Sequence, residues 1–341
     1  MTMTTMRKGI AALLAGVAFT AGGVHAADRP VVLEFSSFLP ANERLSLTLQ
    51  EWGRELETRT DGRVKVNYHP GGTLTSPPQT YDSVVKDIVD VGFGPLGASS
   101  GRFPLMEVLD LPLGLTSSYS ATMLSNAIVE RFRPKELSDV KVLFMLSSPP
   151  AYIQSRTPVR SLDDLQGLKL RALGGTTVKV IQALGAVPVS IPPTDVYDAL
   201  SKGVIAGAPV ISDALVALKW EDSLRYTTVN VRTSYANNGY FVMNRRRFEA
   251  LPPDVKAVID ELSREYVVRM SRLWDEKEAE AVAALQAKGH ARIVLSAEEE
   301  AKWAQRLEPV YETYVKEKSA RGLPAADALA FARDWVERNQ R

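Results

Sequence analysis

Apolar and polar positions along this chain follow two periods, and the switches between them mark out its elements. Val31 to Phe38 (VVLEFSSF) is a short apolar run of strand character. Leu45, Leu49, Trp52 and Leu56 then recur at i, i+4, i+7 and i+11, the stripe of an amphipathic helix. Asp61-Gly62 is turn chemistry. Val64, Val66 and Tyr68 alternate along one face of a strand, which Pro70-Gly71-Gly72 breaks. A second helix is expected to carry Tyr81, Val84, Val85 and Ile88 on one face, before a short strand at Val91 to Phe93. Strand, helix, strand, helix, strand predicts an α/β unit with parallel pairing.

The pattern restarts after Val140-Lys-Val-Leu-Phe-Met145. Ser161-Leu-Asp-Asp164 is a helix-capping sequence. Strands are expected at Leu168 to Ala172, Val187 to Ile191 and Val204 to Val210. Between them fall a helix from Thr176 to Leu184, ended by Gly185, and one capped by Thr194 that stops at Lys202-Gly203. This is a second α/β unit. Tyr226 to Arg232 and Gly239 to Asn244 read as strands that return the chain to the first. Pro252-Pro253-Asp254 opens a helix running to Lys288 and stopped by Gly289. At 1.5 Å per residue it is roughly 50 Å long, more than one small domain needs, so it is expected to lie across both units. Ser296-Ala-Glu-Glu299 caps one further helix carrying Trp303, Leu307, Val310 and Tyr314.

The N-terminus changes the picture of where the chain works. Arg7-Lys8, an apolar uncharged stretch from Ile10 to Thr20 and Val24-His25-Ala26 together read as a secretory leader cleaved after Ala26. The apolar run falls short of the ~20 residues that span a bilayer. Of 41 basic residues, Arg7 and Lys8 lie in this leader, which leaves 39 against 40 acidic ones. A near-neutral mature chain has no electrostatic reason to seek nucleic acid. The sequence holds no cysteine, which removes disulfides, thiol catalysis and thiolate-bound metals. His69 and His290 are the histidines left after processing, too few for a histidine-rich metal site. No metal or cofactor is expected.

Three segments in order resemble one family. They are Thr60-Asp-Gly-Arg-Val-Lys-Val-Asn-Tyr-His-Pro70 with Gly71-Gly-Thr-Leu74; Ser161-Leu-Asp-Asp-Leu-Gln-Gly-Leu-Lys-Leu-Arg171; and Leu184-Gly-Ala-Val-Pro-Val189 with Asp195-Val-Tyr-Asp-Ala-Leu-Ser-Lys-Gly203. They are similar to blocks of the periplasmic solute-binding proteins of tripartite ATP-independent (TRAP) transporters, the dicarboxylate-binding DctP-like family. The resemblance implies a two-lobed α/β binding protein with a long helix spanning both lobes. On that pattern residues 1–26 are the leader, 27–148 and 237–276 form lobe I, and 149–236 and 277–341 form lobe II with the C-terminal helices. The partners implied are a small organic carboxylate and the TRAP membrane subunits, with the binding protein itself a monomer. One departure is visible: where the family usually continues with an acid and polar residues, this chain has Ala206, Ala208 and Pro209.

The resemblance implies that Arg171 binds the ligand carboxylate, and its planar fork at the end of an expected strand suits that task. Sugar-acid binders of the family carry an amide where Phe38 stands and charged groups where Pro95 and Ala98 stand. They carry a second arginine where Ala151 and Tyr152 stand, and an asparagine where Ile211 stands. An apolar pocket with one cation is therefore expected, suited to an aromatic or branched 2-oxo or 2-hydroxy acid. Phe38, Tyr152 and Ile211 are equally readable as core residues, and Arg171 as half of a structural ion pair. Tyr235 and Asn237, with Ser234 and Asn238, lie just before the return strand, where one could bond a keto or hydroxyl oxygen or simply make a turn. Two other readings stay open. Gly97-Ala-Ser99-Ser-Gly101 matches the G-x-S-x-G elbow of serine hydrolases, with His290 as the sole later histidine. A periplasmic ligand sensor for a receptor would share the same pocket.

Overall fold

The structure, a computed structural model, describes residues 29–99, 101–172, 175–192 and 195–339. The leader with its cleavage site and the Thr194 cap lie outside these residues. The first elements are β1 (Val31–Ser37), α1 (Arg44–Arg59), β2 (Val64–His69), α2 (Pro77–Val85) and β3 (Val91–Pro95). β1 pairs in parallel with both β2 and β3. The α1 stripe is as expected: Leu45, Leu49, Trp52 and Leu56 are all buried against this sheet. Each such side chain contributes roughly 1.5–3 kcal/mol. α2 is shorter than the pattern suggested. Asp87 takes a left-handed conformation just past its end, and Ile88, expected on the buried face, is 62% exposed.

Next come α3 (Ser118–Phe132), β4 (Val140–Ser147), β5 (Tyr152–Ser155), α4 (Leu162–Leu165), β6 (Lys169–Ala172), α5 (Gly175–Ala183), β7 (Val187–Ser190), α6 (Val196–Ser201), β8 (Gly207–Val210), α7 (Ser212–Ala217) and β9 (Tyr226–Val229). The α4 start follows its sequence: the Asp164 carboxylate accepts from the Ser161 amide at 3.1 Å. α3 carries no clear apolar stripe, because it buries hydroxyls instead. The Ser118 hydroxyl donates to the Ser147 carbonyl at 2.6 Å, and Ser125 bonds the Ser147 hydroxyl at 2.7 Å. Such side chains enter a core by satisfying themselves on nearby backbone.

The chain closes with β10 (Asn238–Asn244), α8 (Arg245–Ala250), α9 (Pro253–Ala287), β11 (Ala291–Val294), α10 (Ala297–Arg306), α11 (Glu308–Ser319) and α12 (Ala325–Asn339). Two sheets result, in the orders β2-β1-β3-β10-β4 and β11-β9-β5-β8-β6-β7. β10 returns the chain to the first sheet, antiparallel to β3 and β4. β9 does not. It stays in the second sheet between β5 and β11, since a four-residue strand names no partner by itself. In that sheet Gly207 lets β8 approach β5: a Cβ there would sit 2.2 Å from the Gln154 carbonyl. The single helix expected through Trp303 and Tyr314 is two, broken at Leu307, because Pro309 fits only a first helical turn.

Two crossovers join the lobes, and they run side by side. The Ser148 amide donates to the Asn237 carbonyl and the Ala151 amide to the Tyr235 carbonyl, both at 2.8 Å. α9 spans the junction as its length required. Ile259, Leu262, Tyr266 and Met270 enter the first lobe's core, and Leu285 enters the second's. Where it passes the seam, three charged residues within about one turn pin it to both sides. The Asp275 carboxylate accepts the Ser118 and Tyr119 amides that open α3, at 2.6 and 3.0 Å. The Glu278 carboxylate accepts the Ser212 and Asp213 amides that open α7, at 2.8 and 2.9 Å. Lys277 lies between Glu43, the cap residue of α1, and Asp213. α10 to α12 touch both lobes: Tyr311 and Tyr314 donate to the Pro112 and Leu105 carbonyls, while α11 also packs on α5.

Candidate ligand-binding site

Strand register decides which side chains of the second sheet share a face. Leu170 aligns with Gly207, and Ile153 with Pro209. These face α5 and line a small apolar cavity with Val180, Ile181 and Leu184. Arg171 and Tyr152 alternate to the opposite face.

Arg171 is 7% exposed. Its Nε donates to the Ile191 carbonyl at 3.1 Å, and its guanidinium lies 5.6 Å from the Trp220 ring centre. Its Nη2 is buried with no partner, and no carboxylate among the described residues pairs with it. Burial lowers its pKa, and Tyr235 opposes that shift. A buried cation without a counter-charge is costly, and an unpaired donor on it costs more again. This arrangement stands ready to accept an anion from outside.

Tyr235 is the expected residue on which the charge of Arg171 acts. Burial raises its pKa, while a hydrogen bond with Thr177, at the start of α5, and the charge of Arg171 lower it. Tyr235 packs with Ala151 and Ile211 in one small apolar cluster at the crossover. Phe38 lies at the end of β1, stacked on Phe93 with ring centres 5.7 Å apart. Pro95 ends β3 opposite Gly239. Tyr152 opens β5 with the Arg292 guanidinium 5.6 Å from its ring centre, and burial raises its pKa. Asn237 is exposed; its main chain, not its side chain, holds the crossover through Ser148. Asn238 is structural as well, donating to the Leu109 carbonyl and to Asp110. Tyr235 is linked to Arg171 by the charge it feels and to Ile211 by packing, and Asn237 has neither link.

Of two other arginines, one is spent elsewhere. Arg156 donates to the Leu200 carbonyl at 2.6 Å, and Arg232 is exposed. Trp220, beside Arg171, and Trp274, beside the crossover cluster, carry no signal in the sequence that marks these positions. Trp220 falls in an unremarkable loop sequence, and Trp274 sits mid-way along a long helix whose apolar stripe explains it without a ligand. In the fold Trp274 packs against both the first lobe's core and the Ala151–Ile211–Tyr235 cluster.

The hydrolase reading fails on geometry. The Ser99 hydroxyl donates to the Pro78 carbonyl at 3.1 Å, whereas His290 is buried in the other sheet against Thr227. Ser100 of the motif lies outside the described residues.

Two α/β lobes joined by paired crossovers, with an unpaired cation buried beside them, define the class of two-lobed solute-binding proteins. The chain belongs to the bacterial extracellular solute-binding protein family 7, DctP, whose profile matches residues 35–318. It is a TRAP-type periplasmic solute-binding protein and not an enzyme. No helix among the described residues is long and apolar enough to cross a membrane. The C4-dicarboxylate-binding periplasmic protein DctP of Rhodobacter capsulatus is 24% identical over 94% of this chain and 98% of its own. A TRAP solute-binding protein of Desulfovibrio salexigens, with the C-terminus of a symmetry mate in its ligand site, superposes with TM-score 0.85 at 31% identity, covering 92% of this chain and 98% of that one. A marine-metagenome protein specific for aromatic acids, in complex with metahydroxyphenylacetate, gives 0.82 at 29% identity over 91% and 100%. One from Bordetella bronchiseptica with bound mandelate gives 0.78 at 27% over 91% and 99%.

Proposed function

We propose that this protein captures a small monocarboxylate with an apolar body, an aromatic or branched 2-oxo or 2-hydroxy acid, and binds its carboxylate on Arg171. The observation that carries the reading is the unpartnered, buried Nη2 of Arg171 beside a cluster of Ala151, Ile211 and Tyr235. A carboxylate bound there gains a charge-assisted hydrogen bond, and an apolar body gains buried area. The solved relatives that hold metahydroxyphenylacetate and mandelate support this reading. The relative named for C4-dicarboxylates favours a second carboxylate instead. Such a ligand would need a second free cation, and Arg156 is already engaged on the Leu200 carbonyl. A sugar acid would strand its hydroxyls on apolar walls at about 1–3 kcal/mol each.

Binding closes lobe I (27–148 and 237–276) on lobe II (149–236 and 277–341) about the crossovers near Ser148 and Ala236. The ligand-loaded monomer, exported through the leader at 1–26, then docks on the TRAP membrane subunits. Calorimetric titration of an aryl or branched 2-oxo acid against succinate and a hexuronate tests the ligand class. Tighter binding of succinate or the hexuronate overturns it. Small-angle scattering tests closure: the radius of gyration falls at saturation, and an unchanged radius means a rigid site.

A further inference from the structure

We propose that Trp274 is a second ligand-contacting residue, its indole N–H donating to an oxygen substituent on the ring of an aromatic acid whose carboxylate is on Arg171. The proposal rests on the carboxylate reading above and narrows it from aromatic acids in general to those with a ring-borne oxygen.

Two indoles among the described residues have a buried Nε1 with no partner, those of Trp52 and Trp274. They differ in their surroundings. Trp52 is wholly buried, with Phe35 and Phe241 edge-on to it, so no ligand can come near. Trp274 is only partly buried and lies at the seam, packed on the core of one lobe and on the crossover cluster of the other. Most buried polar groups in native proteins are satisfied, so an orphaned donor at the seam between two lobes calls for an outside acceptor.

The position also fixes which part of the ligand it meets. Tyr235 feels the charge of Arg171 on one side and clusters with Ile211, Ala151 and Trp274 on the other. Trp274 is thus linked to the carboxylate end through Tyr235 and its cluster. With the carboxylate on Arg171, the ring and its substituents are the parts of the ligand left to meet Trp274. Indole N–H donates and cannot accept, so the matching group is an acceptor: a phenolic oxygen fits, an ammonium does not. α9 keeps the ring in place from both sides, since Asp275 and Glu278, the neighbours of Trp274 on the same helix, hold the starts of α3 and α7.

Calorimetric titration of wild type and Trp274→Phe with benzoate and its 2-, 3- and 4-hydroxy isomers tests the assignment. Phenylalanine keeps an apolar ring and deletes the donor. In the wild type at least one hydroxy isomer binds tighter than benzoate. In Trp274→Phe that isomer loses roughly 3- to 10-fold in affinity, the value of a neutral hydrogen bond, while benzoate changes less than about twofold. An equal loss for benzoate and the hydroxy acid makes Trp274 a packing residue and overturns the proposal, as does no loss for either. If the wild type binds none of these acids but binds succinate, the carboxylate reading of the pocket falls first and this inference with it. Should the variant fold poorly, the wild type alone decides. The Trp274 indole proton resonance in labelled protein moves downfield when the hydroxy isomer saturates the site, and not with benzoate; identical shifts for both overturn the assignment.

Discussion

Arg171 is buried and Lys277 half-buried, both near the seam between the lobes, and the fold treats these two cations oppositely. Lys277 lies within 3.0 Å of Asp213 and also pairs with Glu43, so one amine serves an acid from each lobe. Arg171 has a carbonyl, an aromatic face and an orphaned amine, and no acid among the described residues. A charge that holds a structure together is compensated inside it; a charge kept for a ligand is left uncompensated, and the empty protein bears the cost. Pairing therefore separates the two cations without reference to where a ligand sits.

The largest expected effect tests the unpaired member. Arg171→Ala loses about 2–5 kcal/mol of carboxylate affinity, roughly 30- to several-thousand-fold, by calorimetry. Its ligand-free melting temperature is unchanged or higher, because no internal ion pair is lost. Arg171→Lys binds poorly as well, since an ammonium cannot present the planar fork. A large fall in ligand-free stability for Arg171→Ala breaks the comparison by showing a structural role.

Asp110 sharpens it from the acid side. This carboxylate accepts from the Asn238 amide at 3.2 Å. Burial raises its pKa to about 7, with Glu107 adding to the shift and Asn238 and Lys318 opposing it; Tyr235 and Tyr314 also face it. The folded state then holds a proton that the unfolded chain has released above about pH 4. Stability falls as pH rises from about 4 to 7 and stays lowered above that. Asp110→Asn keeps an acceptor for Asn238 and removes the charge. It stabilises the protein by about 2–4 kcal/mol at pH 8 and has little effect near pH 4, measured by denaturant unfolding at the two pH values. Equal effects at both reject the buried-charge account.

Lys277→Met gives the smallest effect. It strands Glu43 and Asp213, both partly exposed, and costs about 1–2 kcal/mol of stability by denaturant unfolding. Glu43→Gln with Asp213→Asn in the same chain restores part of that loss. Affinity for the carboxylate stays within about threefold. A loss of binding comparable to Arg171→Ala would place Lys277 in the site and end the distinction drawn here.

Much of this was legible in the chain. The α1 stripe, the Ser161–Asp164 cap and the 35-residue α9 followed from periodicity and end signals, because these depend on neighbours within a few positions. The place of Arg171 on a strand was legible in the same way. What failed depended on distant partners. β9 kept to the second sheet because β5 offered it an edge, and α3 was hidden because hydroxyls bonded to Ser147 replace an apolar stripe. The main-chain role of Asn237 in tying the crossover to Ser148 likewise depends on a partner far away in sequence.

The sequence by itself determined two α/β units, a helix long enough to join them, and a guanidinium with the geometry to bind a carboxylate. Only the tertiary structure decided which cations are already paired, because an ion pair such as Lys277–Glu43 joins residues far apart in sequence and is set by where two lobes meet. It also decided that Trp274, one more apolar residue on a helical stripe, keeps an N–H unanswered at the seam. Local periodicity fixes which face of an element is buried; what that face meets, and which of its polar atoms are left without a partner, is fixed only when the elements pack.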